Sequence, residues 1–355
     1  RIMSEEAKET AAAANANDGS QEEQKSIHEL KKVMHNTTVE SNGEHKSLWT
    51  MTKETMGMAD GGKSKATDTL VDTEPEALVA IKKMIAEAKQ KDASSKKPHP
   101  GMWDFQWTPV KELNATLDDV FLAFCRWTRK DNETDNDGNK TMPMNIDKAF
   151  RRLESYALWM FDAKSDLEEP LTVSSFIGAA KAFGMKLTHD ATGHIVWWFD
   201  LPKTDLEAIK NNTISVSESL RYFVWLTHVV LLDKEAQDNG LLFIEDLQGI
   251  SFWSLMTSFP GDLGAKLDRL TIGVLPIQMK GLYILHADGW WKLLMSLMKA
   301  FMSKKMRQRI ITLGKKEDAS SIVTQAVGGP QYIPIDCCGM EGTAETDIIF
   351  GTYIT

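Results

Sequence analysis

Cysteine is almost absent from this chain. Only Cys125, Cys337 and Cys338 occur, and an odd count that includes an adjacent pair builds no disulfide framework. No C-x-x-C spacing is present, so no zinc-finger pattern is expected, and the usage suits a reducing compartment. Also missing is any run of about 18–20 uninterrupted apolar residues, the length of a membrane-crossing helix. Positive charge is in deficit. The formal net charge is −9, which argues against a generic phosphate-neutralising surface for nucleic acid, so contact with any polyanion has to come from a local basic patch. The first residues contain no apolar signal core. The chain opens on Arg1 and not on Met, which leaves open whether a segment precedes it.

Apolar residues make up 42% of the 355, enough for a real core. They are unevenly spread. Residues 1–74 are polar and aperiodic and bury too little to offset chain entropy, so this stretch is expected to be disordered. Leu78, Ile81, Met84 and Ile85 then recur at helical spacing, followed by a loop with Pro98 and Pro100. Further helical patterns start at Leu117 (Val120, Phe121, Phe124, Trp127), run from Ile146 to Phe161, and cover roughly 173–183. After Gly193 the texture changes to short apolar runs at 195–199, 241–244, 282–285 and 310–313, separated by helical stretches at 217–233, 261–270 and 290–306. Strands buried on both faces and alternating with helices predict an α/β lobe with a mostly parallel sheet and crossover helices. The expected organisation is a disordered region over 1–74, a small all-α lobe over 75–185, the α/β lobe over 186–345 and a tail over 346–355.

Three local patterns suggest chemistry and lack its context. Residues 57–64 (GMADGGKS) match a phosphate-binding loop, yet no convincing strand feeds it and no good helix follows. Residues 133–138 open like a calcium loop, but Met144 stands where the bidentate Glu belongs. His189, His194, His228 and His286 lack metal-ligand spacing, and no Ser or Cys sits in a nucleophile elbow. Cys337 and Cys338 read as ordinary buried thiols near a turn. Neither catalysis, nor a metal, nor a cofactor is expected.

The stretch 290–303 is the most informative. On a helical wheel Lys292, Ser296, Lys299 and Ser303 share one narrow polar stripe, and apolar side chains take most of the rest. Two readings stand side by side. Leu294, Met298 and Met302 close a greasy cavity while Trp290, Trp291 and Met295 face lipid, or the helix is simply buried between two layers. Lys304, Lys305, Arg307 and Arg309 follow as a basic cluster, either a solvated helix end or a contact for an anionic membrane.

At this point the residues resemble the CRAL-TRIO family of lipid-binding domains. Residues 117–126 (LDDVFLAFCR) are similar to its N-terminal helical motif, and 147–150 (DKAF) to the helix that follows. Residues 239–249 (NGLLFIEDLQG) are similar to the strand ending in D-L-x-G, and 280–287 (KGLYILHA) to the next strand. Residues 299–301 (KAF) stand where the family has K-P-F, and 332–336 (YIPID) near its closing L-P-x-E. The likeness spans about 76–345. It departs at Thr128, in the insertion 130–145, at Ala300 and at Cys337-Cys338. Within the family the chain looks most like the tocopherol- and retinaldehyde-carrier branch, since Asn239 and Gly281 replace the Glu and Lys of the phosphatidylinositol-transfer branch.

The resemblance implies a pocket lined by Leu220, Phe223 and Thr227 (i, i+3, i+7) with Leu267, Leu270, Leu275, Leu282, Leu294, Met298 and Met302. Thr227 is the polar contact for a ligand hydroxyl. It further implies a membrane and phosphoinositide surface of Lys280, Lys305 and Arg309, supported by Arg126 and Arg307, with Gln278 in place of a further basic residue; the wheel reading adds Trp290 and Trp291 at the interface. The expected function is non-enzymatic binding and intermembrane transfer of a small lipid (tocopherol-, retinoid-, carotenoid- or phospholipid-like). The expected setting is the cytoplasm, with transient docking on anionic membranes through a gate helix. A scaffold protein with a degenerate pocket and a nucleotide-binding protein acting through 57–64 remain as alternatives.

Overall fold

A computed structural model describes residues 38–41, 44–47, 69–129, 133–134, 140–141, 143–167, 171–251, 254, 263–287, 289, 291, 295, 304–314, 317–345 and 347–354. The expectation of disorder over 1–74 falls largely outside these residues, as does the phosphate-loop match at 57–64.

The helical lobe is built on well-capped elements. Helix α1 (Glu74–Ala93) starts at Thr73, whose hydroxyl accepts the Glu76 N–H at 3.4 Å, and Pro75 occupies the first turn, where its missing donor is harmless. Helix α2 (Leu117–Arg126) opens with a reciprocal capping box. Thr116 Oγ1 accepts the Asp119 N–H, and Asp119 Oδ2 accepts the Thr116 N–H at 2.8 Å. Helix α3 (Ile146–Asp162) begins at Asn145, which accepts the Lys148 N–H at 2.8 Å, and buries Ala149, Leu153, Tyr156, Ala157 and Met160. An aromatic segment between α1 and α2 fills the lobe. Trp103 stacks on Phe150 at 5.8 Å, and Phe105 on Tyr156 at 6.1 Å. A fourth helix, α4 (Ile177–Phe183), ends on Gly184 at φ 58°, a left-handed stop that only glycine takes cheaply.

The second lobe is a five-stranded sheet of β1 (Lys186–His189), β2 (Ile195–Asp200), β3 (Leu241–Asp246), β4 (Met279–Leu285) and β5 (Ile310–Thr312), ordered β5-β4-β3-β2-β1. Strands β2 to β5 run parallel; β1 pairs antiparallel with β2 at the edge. The fold is therefore mixed α/β, mostly parallel and preceded by a helical region, as the alternating pattern predicts. Strand β1 is an addition. Its four residues, Lys186-Leu187-Thr188-His189, are too short and too mixed in polarity to resemble a doubly buried strand.

Parallel strands in sequential order, joined by crossovers of the one hand that parallel units take, carry their connections over the same sheet face. Helix α5 (Val216–Leu232), helix α6 (Lys234–Asn239) and helix α7 (Leu263–Asp268) occupy those connections, and helix α8 (Lys304–Arg309) leads into β5. The apolar core divides accordingly. Ile195, Trp197 and Phe199 pack with Leu220, Phe223, Leu263 and Leu267 on the crossover face. Val196 and Trp198 point the other way and pack with helix α9 (Ala319–Val327), Ile333, Cys337 and Cys338. The period-2 alternation of β2 thus serves two separate cores, which is why the strand reads as continuously apolar. Residues 347–354, expected as a tail, fold back on the first core. Asp347 accepts the Leu187 N–H at 3.1 Å, and Tyr353 meets Trp225 edge-on at 5.5 Å.

Candidate functional site

The crossover face is organised by α5. Ser215 caps the helix by accepting the Glu218 N–H at 3.0 Å, and every residue from Tyr222 to Leu231 is buried. A helix apolar all round has neighbours all round. On one side His228 meets Tyr156 of the helical lobe at 2.8 Å; on another, Trp225 packs with Phe176 at 5.2 Å. Phe223 turns to the sheet, where Trp197 lies 6.4 Å away and Phe243 a further 5.5 Å beyond it.

Of the expected pocket residues, Leu220, Phe223, Leu267, Leu270, Leu275 and Leu282 come together in this one apolar cluster. Leu270 lies in a π-turn (Arg269–Val274) after α7, closed where the Leu275 N–H reaches the Leu270 carbonyl at 2.9 Å. Wide turns of this kind recur at functional sites. Enclosure differs within the set. Leu220, Leu270, Leu275 and Thr227 have no accessible surface, so no water-sized void borders them, whereas Phe223 and Leu267 keep 6% and 8% and Leu282 is only half-buried. Thr227 donates its hydroxyl proton to the Phe223 carbonyl at 2.7 Å, which leaves its oxygen as an acceptor only. Its expected role as the polar contact for a ligand hydroxyl is therefore corrected: with no accessible surface, the hydroxyl is used inside its own helix.

Leu294, Met298, Met302 and Trp290 lie outside the described residues. Two neighbours on the same stretch do not. Trp291 is half-buried against the crossover-face core, and Met295 is buried. Trp291 therefore lies against the same core as α5.

The expected basic residues are not equivalent. Arg126 is committed: its guanidinium grips Glu74 twice, at 2.7 and 2.6 Å, and donates to Gln237 Oε1 at 2.6 Å. Hydrogen bonding and charge from Arg126, with Arg129 adding its own, hold the Glu74 carboxyl below its ordinary value. Arg309 donates to the Met279 carbonyl at 2.5 Å. Lys280 and Arg307 make no ion pair among the described residues, and Arg307 is exposed. Lys305 lies in α8. Gln278 donates to the Trp127 carbonyl at 3.4 Å, so it ties the lobes together rather than facing a ligand.

Two features were not foreseen. Trp197 and Phe243 form the sheet floor under Phe223; their signal was the strand alternation, which cannot tell which alternate set meets which core. The other is a buried polar chain. Thr108 Oγ1 lies 2.5 Å from Tyr156 Oη, which lies 2.8 Å from His228 Nε2, while His228 Nδ1 donates to the Val224 carbonyl at 2.5 Å. With Nδ1 carrying the proton, Nε2 must accept from Tyr156, and Tyr156 in turn from Thr108. Burial pushes the His228 imidazole down to about 4, so the ring is neutral. Partners separated by 48 and 72 positions carry no local signature.

Residues 181–334 match the family model of the CRAL/TRIO domain. The match supports the CRAL-TRIO family, whose motifs the strands β3 and β4 resemble, and it covers α5, the whole sheet and α9. Tyrosine-protein phosphatase non-receptor type 9 of rat, and likewise of human, is 30% identical over 128 residues, which are 34% of this chain and 21% of the phosphatase. The chain thus spans about a fifth of the length of these curated relatives, and the activity in their name belongs to them. A crystal structure of Sfh5 is 15% identical, with a TM-score of 0.38, over 73% of this chain and 88% of that one. Among the described residues, no helix is long and apolar enough to cross a membrane.

Proposed function

We propose that this chain binds one small hydrophobic lipid and carries it between membranes without covalent chemistry. The observation that carries the reading is the gathering of Leu220, Phe223, Leu267, Leu270, Leu275 and Leu282 on the crossover face, with Trp291 packed against the same core, within a stretch that matches the CRAL/TRIO domain. That match supports a lipid-binding or lipid-transfer protein in general. The finer reading is that Phe223, Leu267 and Leu282 touch the ligand, with Leu220, Leu270, Leu275 and Thr227 as the layer behind them. Leu294, Met298 and Met302 contribute from the lid. The lipid is of tocopherol, retinoid, carotenoid or phospholipid type. Transfer of apolar area from water is worth roughly 25 cal/mol per Å², so an oily ligand needs few polar contacts.

Release belongs to the lid, the gate of the pocket. Trp290 and Trp291 engage the interface while Lys280, Lys305, Arg307 and Arg309 meet anionic or phosphoinositide head groups, favouring the open state. The working division is a helical lobe over 75–185 and a lipid lobe over 186–345, acting in the cytoplasm and transiently at membranes. To test this, the full chain is purified, extracted with organic solvent and analysed by mass spectrometry for a stoichiometric lipid. Empty protein that takes up no lipid from vesicles counts against the proposal.

One observation favours a second reading. Four of the pocket positions border no void, as a packed-solid lobe serving as a protein-interaction module requires. That reading predicts no shift in melting temperature with any of the lipids named.

A further inference from the structure

The carboxyl ends of β2 and β3 carry polar groups that the apolar site does not use. Strand β2 ends on Asp200, strand β3 on Asp246, and His286 follows β4. Carboxyl ends of parallel strands are where open α/β sheets hold ligands. Asp246 is satisfied locally, accepting His286 Nδ1 at 2.7 Å and the Gln248 N–H at 2.9 Å. Asp200 is different. It is buried against Cys337 and Cys338, and one ligand atom from each of the three lies within 4.8 Å of the others.

The turn that brings the thiols there is unusual. The Met340 N–H bonds the Cys337 carbonyl at 3.0 Å, with Cys338 and Gly339 between them at φ 52° and 66°. Positive φ at both central positions is the pattern of a type I′ turn, which normally takes Asn, Asp or Gly first. A cysteine there is strained, and the Cys338 N–H spends itself on Asp200 Oδ2 at 2.7 Å, fixing the carboxylate and leaving its second oxygen available.

The two sulfurs stand 3.7 Å apart. That is far from a disulfide bond, and it matches the edge of a tetrahedron with metal–sulfur bonds of about 2.3 Å, which is roughly 3.8 Å. Charge fits as well. Two thiolates and the Asp200 carboxylate concentrate negative charge that a divalent cation offsets, and the Lys203 ammonium 3.7 Å from Asp200 Oδ2 adds to that offset. Lys203 is itself anchored by Asp336 at 2.7 Å.

We propose that Asp200, Cys337 and Cys338 form a site for one thiophilic divalent cation of the zinc class, with the fourth position filled by water. Binding releases the two thiol protons to solvent and ties the segment after α9 to the end of β2. The site does not depend on the lipid reading, since it lies against the opposite core.

The test is titration of the full chain, reduced and freed of metal, with Co²⁺ as a spectroscopic stand-in and then with Zn²⁺. The expected result is saturation at one ion per chain, tetrahedral d–d absorption with a thiolate-to-cobalt charge-transfer band, displacement by Zn²⁺, and a higher melting temperature with Zn²⁺ bound. Asp200→Asn, which keeps both thiols, should weaken binding at least tenfold; Cys337→Ser should abolish the charge-transfer intensity from one sulfur. The proposal is overturned if the wild-type chain shows no saturable uptake or only an octahedral spectrum. Unchanged binding by the Cys337→Ser/Cys338→Ser chain overturns it too, as does a Cys337–Cys338 disulfide that takes up no cobalt once reduced. The wild-type spectrum decides the matter even where a variant fails to fold.

Discussion

Tyr156 and His228 meet where the helical lobe rests on α5, the phenol donating to the imidazole Nε2 across 2.8 Å in a fully buried contact. This bond spans the two lobes and orients α5, the helix that presents Phe223 to the sheet. Removing the donor strands a buried acceptor, which costs about 1–3 kcal/mol. Tyr156→Phe should therefore lower unfolding stability by that amount in urea titration, with the m-value unchanged. A loss below about 0.5 kcal/mol would show that the bond contributes little.

The same histidine sets a pH dependence. Its folded value is about 4, below the ordinary 6.5, so between these values the unfolded chain binds the extra proton. Stability is complete above pH 6.5 and falls as pH drops toward 4, by about 3 kcal/mol from this group. His189 acts in the opposite sense. The hydrogen bond from its ring to Asp233 raises it, so its contribution is lost as pH rises through its folded value. Denaturation between pH 4 and 7 should show the acid-side loss, flattened in His228→Gln.

Glu74 restrains Arg126 and Arg129 together, at 2.6 and 2.5 Å. Glu74 is about a third exposed, so solvent screening reduces the pair's worth to the order of 1 kcal/mol. Glu74→Gln is expected to destabilise modestly and to raise binding to anionic vesicles by removing the carboxylate that neutralises Arg126 and Arg129, although Arg126 keeps Gln237 and Arg129 keeps Asp238. Unchanged vesicle binding with the expected destabilisation would assign Arg126 a purely structural role.

Lys280 and Arg307 carry the opposite expectation. Each basic residue near an anionic surface is worth about 1 kcal/mol, close to fivefold in affinity. Lys280→Glu and Arg307→Glu should each reduce co-sedimentation with phosphatidylserine vesicles by at least that factor at low salt, with melting temperature unaffected. Equal losses on neutral vesicles would mean that charge is not the cause.

Leu282 lies on β4 and is half-buried on the crossover face. Leu282→Trp should fill the space offered to a ligand and abolish lipid uptake while the chain still folds. If Leu282 is ordinary core, the same change costs about 1–3 kcal/mol of stability from overpacking and leaves uptake intact. Measuring bound lipid and stability on one preparation separates the two.

Local pattern alone was enough for the α/β class. The short doubly apolar runs became β2 to β5, and the caps at Thr73, Thr116 and Asn145 start helices where the hydrophobic spacing places them, because period and capping are properties of neighbouring residues. Phe223 follows from its place on a helix face and Leu267 from the family resemblance, and the fold puts both in the crossover-face core. Other features required the folded chain. Strand β1 is held by pairing with β2 rather than by its own composition. Arg126 reads as a free basic residue until Glu74, 52 positions away, closes on it. Nothing near Cys338 in sequence points to Asp200, 138 positions away, which accepts its backbone N–H. Contacts that distant arise from the stacking of elements, and the residues that make them have no fixed spacing along the chain to reveal them.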